Sequence, residues 1–420
     1  MSQISPEYDV VVAGGGPAGA TTATLVAQQG HRVLLVERAG EPRFKIGESL
    51  MPATYQIFKR LGVLDRMRES GFPAKHSVQF FGPSGRAGAP FYFSEFDPDK
   101  SSQTWQVRRQ EFDAMLLDNA VENGVDVRYG VGLKEVRFDG ERAVGVRLEP
   151  AGGEAVEVDC QVTVDATGQS AFLARHLGLL ETEPGLRNAA LFTHYAGAVR
   201  DTGIDEGATL IFHTDNRKAW FWFIPQPDDR VSVGVVGPLA YLIRGRQGDP
   251  ETVFAEELAR CPALAPRLEP ARPVMPIKAI RDFSYKSSRI AGDGWVMAGD
   301  AFGFIDPIYS TGVFLALKSG EMAADAIHQA LAAGDPSAER LGRFEPELRR
   351  GLEALRKLVY AYYDPSFSFG DFLRRYPHCR KQLVSMLVGN VYADPIDEIL
   401  AALDETLGSP SRPPAATRSS

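Results

Sequence analysis

The chain has 420 residues, 44% of them hydrophobic, enough to bury the cores of two or three domains and an internal cofactor cavity. Its formal net charge of −8 lacks the basic balance of a nucleic-acid binder, so no nucleic-acid partner is expected. Cys160, Cys261 and Cys379 share no Cys-x-x-Cys spacing and read as reduced thiols; with no signal-like N-terminus and no apolar run of about 18 residues, a cytoplasmic protein without a membrane partner is expected.

Tyr8 to Ala13 is an apolar run that predicts a strand, Gly14-Gly15-Gly16-Pro17-Ala18-Gly19 is a glycine turn, and Ala20 to Gln29 predicts a helix ending at Gly30. Arg32 to Val36 predicts a second strand, which stops at Glu37. Strand, glycine turn, helix, strand and acid form one βαβ unit, the context in which this glycine pattern binds a dinucleotide. Gly14 then permits the tight turn, Gly16 lets a pyrophosphate reach the backbone at the positive end of the helix, Gly19 lets the helix pack on the strand, and Glu37 accepts from a ribose.

Gln161 to Asp165 with Ala166-Thr167-Gly168, and Trp295 to Asp300, predict two further strand ends of the same type, so one cofactor domain is expected from separated segments. In the insertion between them, Ala208–His213 and Arg230–Val235 alternate as antiparallel strands do. Between these lies Trp220-Phe221-Trp222-Phe223-Ile224-Pro225, which as a strand sets Trp220, Trp222 and Ile224 on one face and Phe221 and Phe223 on the other. Taken alone, such an aromatic strand reads as core. From Pro336 the pattern turns helical, with Leu341, Phe344, Leu348, Leu352 and Leu355 at three- and four-residue spacings; Asp364-Pro365 breaks it. His194 and His213 have no partner at ligand spacing, and no metal site is assigned.

At this point the chain resembles the FAD-dependent oxidoreductases of the para-hydroxybenzoate-hydroxylase type and, within them, the flavin-dependent halogenases, over nearly all of residues 6 to 400. The shared parts are the glycine fingerprint, Arg109-Gln110-Glu111-Phe112-Asp113, Asp165-Ala166-Thr167-Gly168, and Gly299-Asp300-Ala301 running to Asp306-Pro307. The halogenase-specific parts are Trp-x-Trp-x-Ile-Pro at 220–225, a lysine matching Lys75 in Gly71-Phe72-Pro73-Ala74-Lys75, and Ser310-Thr311-Gly312-Val313. The resemblance implies an α/β fold: a Rossmann-type FAD-binding domain (1–78, 104–185, 284–335) with an inserted antiparallel β-sheet substrate-side domain (79–103, 186–283). A C-terminal helical cap (336–407) and a disordered tail (408–420) complete it.

The resemblance implies FAD contacts from Gly14, Gly16, Ala18, Gly19, Glu37, Arg38, Arg43, Gly47, Glu48, Ser49, Arg109, Asp300, Pro307, Gly312 and Val313. Halide would sit on Ser310, Thr311 and Gly312, although an ordinary helix N-cap uses the same residues and the same N–H groups. Hypohalous acid made at the flavin would pass a barrier of Trp220, Trp222, Ile224 and Pro225 to reach Lys75, the catalytic group, whose burial would lower its pKa. Where halogenases of free tryptophan have a glutamate before Ser-Thr-Gly, this chain has Tyr309, which resembles the branch acting on phenols and pyrroles. Expected are an FADH2-dependent enzyme using chloride or bromide on an electron-rich aromatic, a phenol or pyrrole either free or tethered to a carrier protein, and a separate flavin reductase. A monooxygenase or reductase of the same fold, and a flavin-binding or carrier-docking protein without turnover, stand as alternatives.

Overall fold

The structure, a computed structural model, describes residues 4–408 except 96–99, 247, 282, 393 and 394. Most of the expected tail therefore lies outside the described residues.

One sheet runs in the order Ala291–Gly292, Trp295–Met297, Val156–Asp165, Glu7–Ala13, Val33–Glu37, Asp126–Tyr129. Its central pairs are parallel, with Ala13 opposite Asp165 and Asp165 opposite Met297, so three segments distant in sequence end along one rim. The strands read as unbroken apolar runs because both faces are covered, as a parallel sheet requires. Helices Pro17–Gln28 and Thr311–Ala332 pack on it and on each other so closely that a Cβ on Gly320 would lie 2.6 Å from the Ala18 carbonyl oxygen.

The second large sheet runs Arg272–Pro273, Asn188–Ala196, Arg230–Pro238, Trp220–Gln226, Thr209–His213, Ser77–Phe81, Phe91–Tyr92, with Lys278–Arg281 also paired to Asn188–Ala196. The three strands expected within the insertion are present and antiparallel to one another, Trp220 standing opposite His213 and Val236. One pair departs from a purely antiparallel sheet: Thr209–His213 lies parallel to Ser77–Phe81. The reason is that Ser77–Phe81 arrives from an earlier excursion of the chain. It joins this sheet from residue 77, two residues before the boundary expected from sequence.

The two faces of the tryptophan strand belong to different cores. Trp220, Trp222 and Ile224 pack with residues of the first sheet and its helices, whereas Phe221 and Phe223 pack with Phe212, Val233 and Phe254. Trp222 lies across the strand opposite, where a Cβ on Gly234 would come within 2.2 Å of its ring. At the C-terminal end, helix Glu345–Tyr363 buries Leu348 and Leu355 and stops before Asp364-Pro365, because the residue preceding proline is driven out of the helical region. Helix Arg380–Val388 covers Phe93 with Val384 and Val388. Among the described residues no helix is long and apolar enough to cross a membrane.

A Gly234→Ala substitution is expected to displace the Trp222 ring and destabilise the protein by about 1–3 kcal/mol in chemical denaturation, the usual cost of overpacking. Near-ultraviolet circular dichroism should change with it, as the indole leaves its fixed setting.

Candidate functional site

At the rim where the three parallel strands end is a cavity of about 630 Å³, in the crevice position where α/β sheets bind their ligands. Gly14, Gly16, Ala18, Glu37, Arg38, Arg43, Gly47, Glu48, Ser49, Arg109, Asp300, Pro307, Gly312 and Val313 all line it. Gly19 does not; it supports the cavity from behind, where a Cβ would fall 1.9 Å from the Gly14 carbonyl oxygen. Gly14, at φ +113°, would likewise drive a Cβ into the Ala166 carbonyl, at 2.2 Å. A Cβ on Gly16 would meet nothing within 4 Å, so its backbone is open on that side.

The polar wall is held in place by the protein. Glu37 accepts the Gly15 N–H on Oε2 and the Ala39 N–H on Oε1, both at 2.9 Å, which leaves further lone pairs for a ribose. Arg109 grips Asp113 with Nε and one terminal nitrogen (2.8 and 3.0 Å) and donates through the other to the Ile46 carbonyl at 2.7 Å. Asp300 is shielded from bulk water although open to the cavity, and burial pushes its carboxyl up to about 6 against the pull of Arg109 and Lys45. Glu48 lies 2.7 Å from His194 Nε2 through Oε1, while its buried Oε2 has no partner among the described residues. That free acceptor and the bare backbone at Gly16 fit a dinucleotide bound along this wall, FAD being the group the donors and acceptors suit.

The far wall is formed by Trp220, Trp222 and Ile224. Pro225 is buried but is not part of it, because it falls on the opposite face of the strand with Phe221 and Phe223. The Trp222 indole N–H donates to Ser232 Oγ (3.1 Å) and that of Trp220 to the Tyr363 hydroxyl (3.0 Å). Tyr363 in turn donates to Asp306 (3.0 Å), which also accepts from Asn188 Nδ2 and the Ile308 N–H. Burial pushes the Asp306 carboxyl up to about 7 despite these donors. The network ties the helical cap and the Asp306-Pro307 turn to the same indole.

Ser310 sits at φ +57° at the head of the 22-residue helix Thr311–Ala332. Its side chain makes no capping bond and the first turn carries no acid, so the helix presents free N–H groups and the positive end of its dipole. Ser310 and Gly312 line the cavity; Thr311 is buried behind them. Tyr309 is enclosed, donates to the Leu358 carbonyl, and has its phenol pushed up by burial and by Asp306, so it supplies no negative charge here.

Lys75 does not line the cavity. It is 2% exposed, and its Nζ donates to Ser49 Oγ (2.9 Å) and the Leu50 carbonyl (3.0 Å) with the Phe93 ring centroid 5.6 Å away. Desolvation lowers its pKa from 10.5 to about 7. Sequence reasoning missed Thr209, His194 and Tyr363 as parts of this assembly. The Tyr362-Tyr363 pair just before the Asp364-Pro365 break was the one local signal available.

Residues 7–354 match the FAD binding domain family. The chain is 35% identical to the 1H-pyrrole-2-carbonyl-[peptidyl-carrier protein] brominase of Pseudoalteromonas luteoviolacea, over 78% of this chain and 79% of that protein. It is 30% identical to the 1H-pyrrole-2-carbonyl-[peptidyl-carrier protein] chlorinase of Pseudomonas fluorescens, over 95% and 94%. The solved structure of a flavin-dependent brominase superposes with a TM-score of 0.84 at 32% identity, covering 95% of this chain and 98% of the other. That of the myxobacterial chondrochloren halogenase gives 0.80 at 32%, covering 96% and 97%.

Lys75→Met tests the buried amine through stability. Between about 7 and 10.5 the unfolded chain holds a proton at this position that the folded chain has released, so native stability rises with pH across that window. Urea unfolding should therefore show Lys75→Met stabilised most at and below pH 7, the gain shrinking as pH approaches 10.5.

Proposed function

The chain belongs to the flavin-dependent halogenases, and on that premise we propose that Lys75 carries the halogen to an electron-rich aromatic, a pyrrole held on a carrier protein. The enzyme uses FAD as FADH2 with chloride or bromide. When bound, reduced FAD with dioxygen and halide supplies hypohalous acid; the chain's own residues do the rest. Glycines 14 and 16, Glu37, Arg109 and Asp300 hold the cofactor, and the N–H groups of Thr311 and Gly312 hold the halide without a competing side-chain cap, the Ser310 N–H being taken by the Pro307 carbonyl. Trp220 and Trp222 keep an aromatic acceptor away from the flavin by bulk, each indole fixed through its N–H.

The observation that carries this reading is the setting of Lys75. A neutral amine has two N–H donors and one lone pair. Ser49 and Leu50 take both donors, so the lone pair is what remains to meet the halogen. The N–X bond forms as the O–X bond breaks, an amine proton leaves with the hydroxide as water, and the aromatic carbon later takes X and returns a proton to nitrogen. A lysine acting instead as a charged hydrogen-bond donor to hypohalous acid would need the protonated form.

The carrier-bound pyrrole is supported by the two relatives named for that substrate and by Tyr309, a neutral phenol where free-tryptophan enzymes resemble one another in having a glutamate. A separate reductase is supported by the lack of a second dinucleotide fingerprint in the sequence.

With reduced FAD, dioxygen and bromide or chloride, mass spectrometry should find halogenated pyrrole on the loaded carrier protein. It should find none without halide; a hydroxylated product at equal rate without halide would establish the monooxygenase instead. Lys75→Ala is expected to lose halogenation by at least about 100-fold while still oxidising reduced flavin. Single-turnover halogen transfer should rise with pH through a midpoint near 7, as the amine becomes neutral; a fall through the same midpoint would assign the protonated lysine.

A further inference from the structure

Because Lys75 stands outside the cavity wall, whatever leaves the cavity for the lysine first meets Ser49 and Thr209, which are in that wall and only 3% exposed. Their hydrogens can be counted. Lys75 Nζ donates to Ser49 Oγ at 2.9 Å, and Gln106 Nε2 donates to Thr209 Oγ1 at 2.8 Å. Each hydroxyl oxygen has thus accepted from a nitrogen, and the two oxygens lie 2.9 Å apart, joined by one hydrogen bond. Two hydroxyl hydrogens share that single bond, so one O–H is left without an acceptor among the described residues. A buried hydroxyl hydrogen is rarely left unpaired, and the open side of this pair is the cavity.

Gln106 holds the Thr209 oxygen as Lys75 holds that of Ser49. It is fully buried and anchored by a second bond, Nε2 to the Gly207 carbonyl at 2.8 Å, so it occupies the Thr209 oxygen from one side. Either hydroxyl can donate in the bond between them; with Thr209 as its donor, the Ser49 oxygen accepts from both Thr209 and Lys75, and the Ser49 O–H is free to point into the cavity.

We infer that Ser49 receives hypohalous acid at the cavity wall and relays a proton for Lys75, with Thr209 as the positioning residue that orients it. This rests on the proposed role of Lys75. The Ser49 O–H donates to the oxygen of HO–X. As the amine lone pair takes X and the O–X bond breaks, the lysine N–H proton passes to Ser49 Oγ while the Ser49 proton passes to the departing hydroxide. The products are water and the N-halogenated lysine, with Ser49 restored. The arrangement removes the need for a carboxylate beside the lysine.

The test supplies the oxidant directly. Holoenzyme with oxidised FAD and no reductant is mixed at pH 8 with one equivalent of hypochlorous acid, and chlorination of Lys75 is followed by peptide mass spectrometry, with FAD affinity measured on every variant. Native protein should chlorinate Lys75, Thr209→Val should do so about tenfold more slowly, the effect of one neutral hydrogen bond, and Thr209→Ser should recover to within about twofold. A packing role predicts the reverse order, since valine fills the threonine volume and serine does not. That order, or equal rates in native and Thr209→Val, would overturn the relay while leaving Lys75 in place. Absence of chlorine on Lys75 in the native protein would overturn the lysine's role and the relay together.

Discussion

Enclosing an amine away from water disfavours its charged form, and Lys75 is enclosed with two neutral acceptors and an aromatic ring but no carboxylate among its hydrogen-bond partners. Much of the surrounding structure follows from that constraint. The strand Ala74–Lys75 pairs with Thr104–Trp105, Ser49 bridges to Gln106, and helix Arg380–Val388 closes over Phe93, so several separate segments combine to exclude water from one nitrogen. A carboxylate at hydrogen-bonding distance would restore the charge and remove the amine lone pair.

The second organising feature is the division of labour between the two sheets. The parallel sheet brings the glycine turn, the Ala166-Thr167-Gly168 turn and Gly299-Asp300 to one rim, because its strands are in register where they end. The other sheet lays Trp220 and Trp222 across the opposite side of the cavity. The indole N–H groups are not left free: Ser232 fixes one, and the Tyr363–Asp306 network fixes the other. Through Asp306 and Pro307 that network reaches the turn that opens helix Thr311–Ala332, so indole wall, Ser310 turn and helical cap share one hydrogen-bonded scaffold.

Much of this was legible in the chain. The glycine fingerprint and Glu37 could be placed because their chemistry is local: a positive φ, a close approach and an acid about 20 residues on. The faces of the tryptophan strand followed from the two-residue period of any strand, and the same period puts Pro225, read from sequence as part of the barrier, on the other face. The Ser77–Phe81 edge was harder, since its parallel partner Thr209–His213 is more than a hundred residues away and nothing local encodes that pairing.

The sequence alone determined which residue types were available and what each short segment would do: a dinucleotide turn, an aromatic strand, a helix opening on Ser310, a lysine closing Gly71-Phe72-Pro73-Ala74-Lys75. Only the tertiary structure decided which of them meet. It placed His194 on Glu48, Tyr363 on Trp220, and Ser49 and Thr209 between the cavity and Lys75. The reason is physical: propensity, periodicity and capping act over a few residues, whereas desolvation and hydrogen-bond pairing depend on every segment that packs around a group, and those segments have no fixed spacing along the chain.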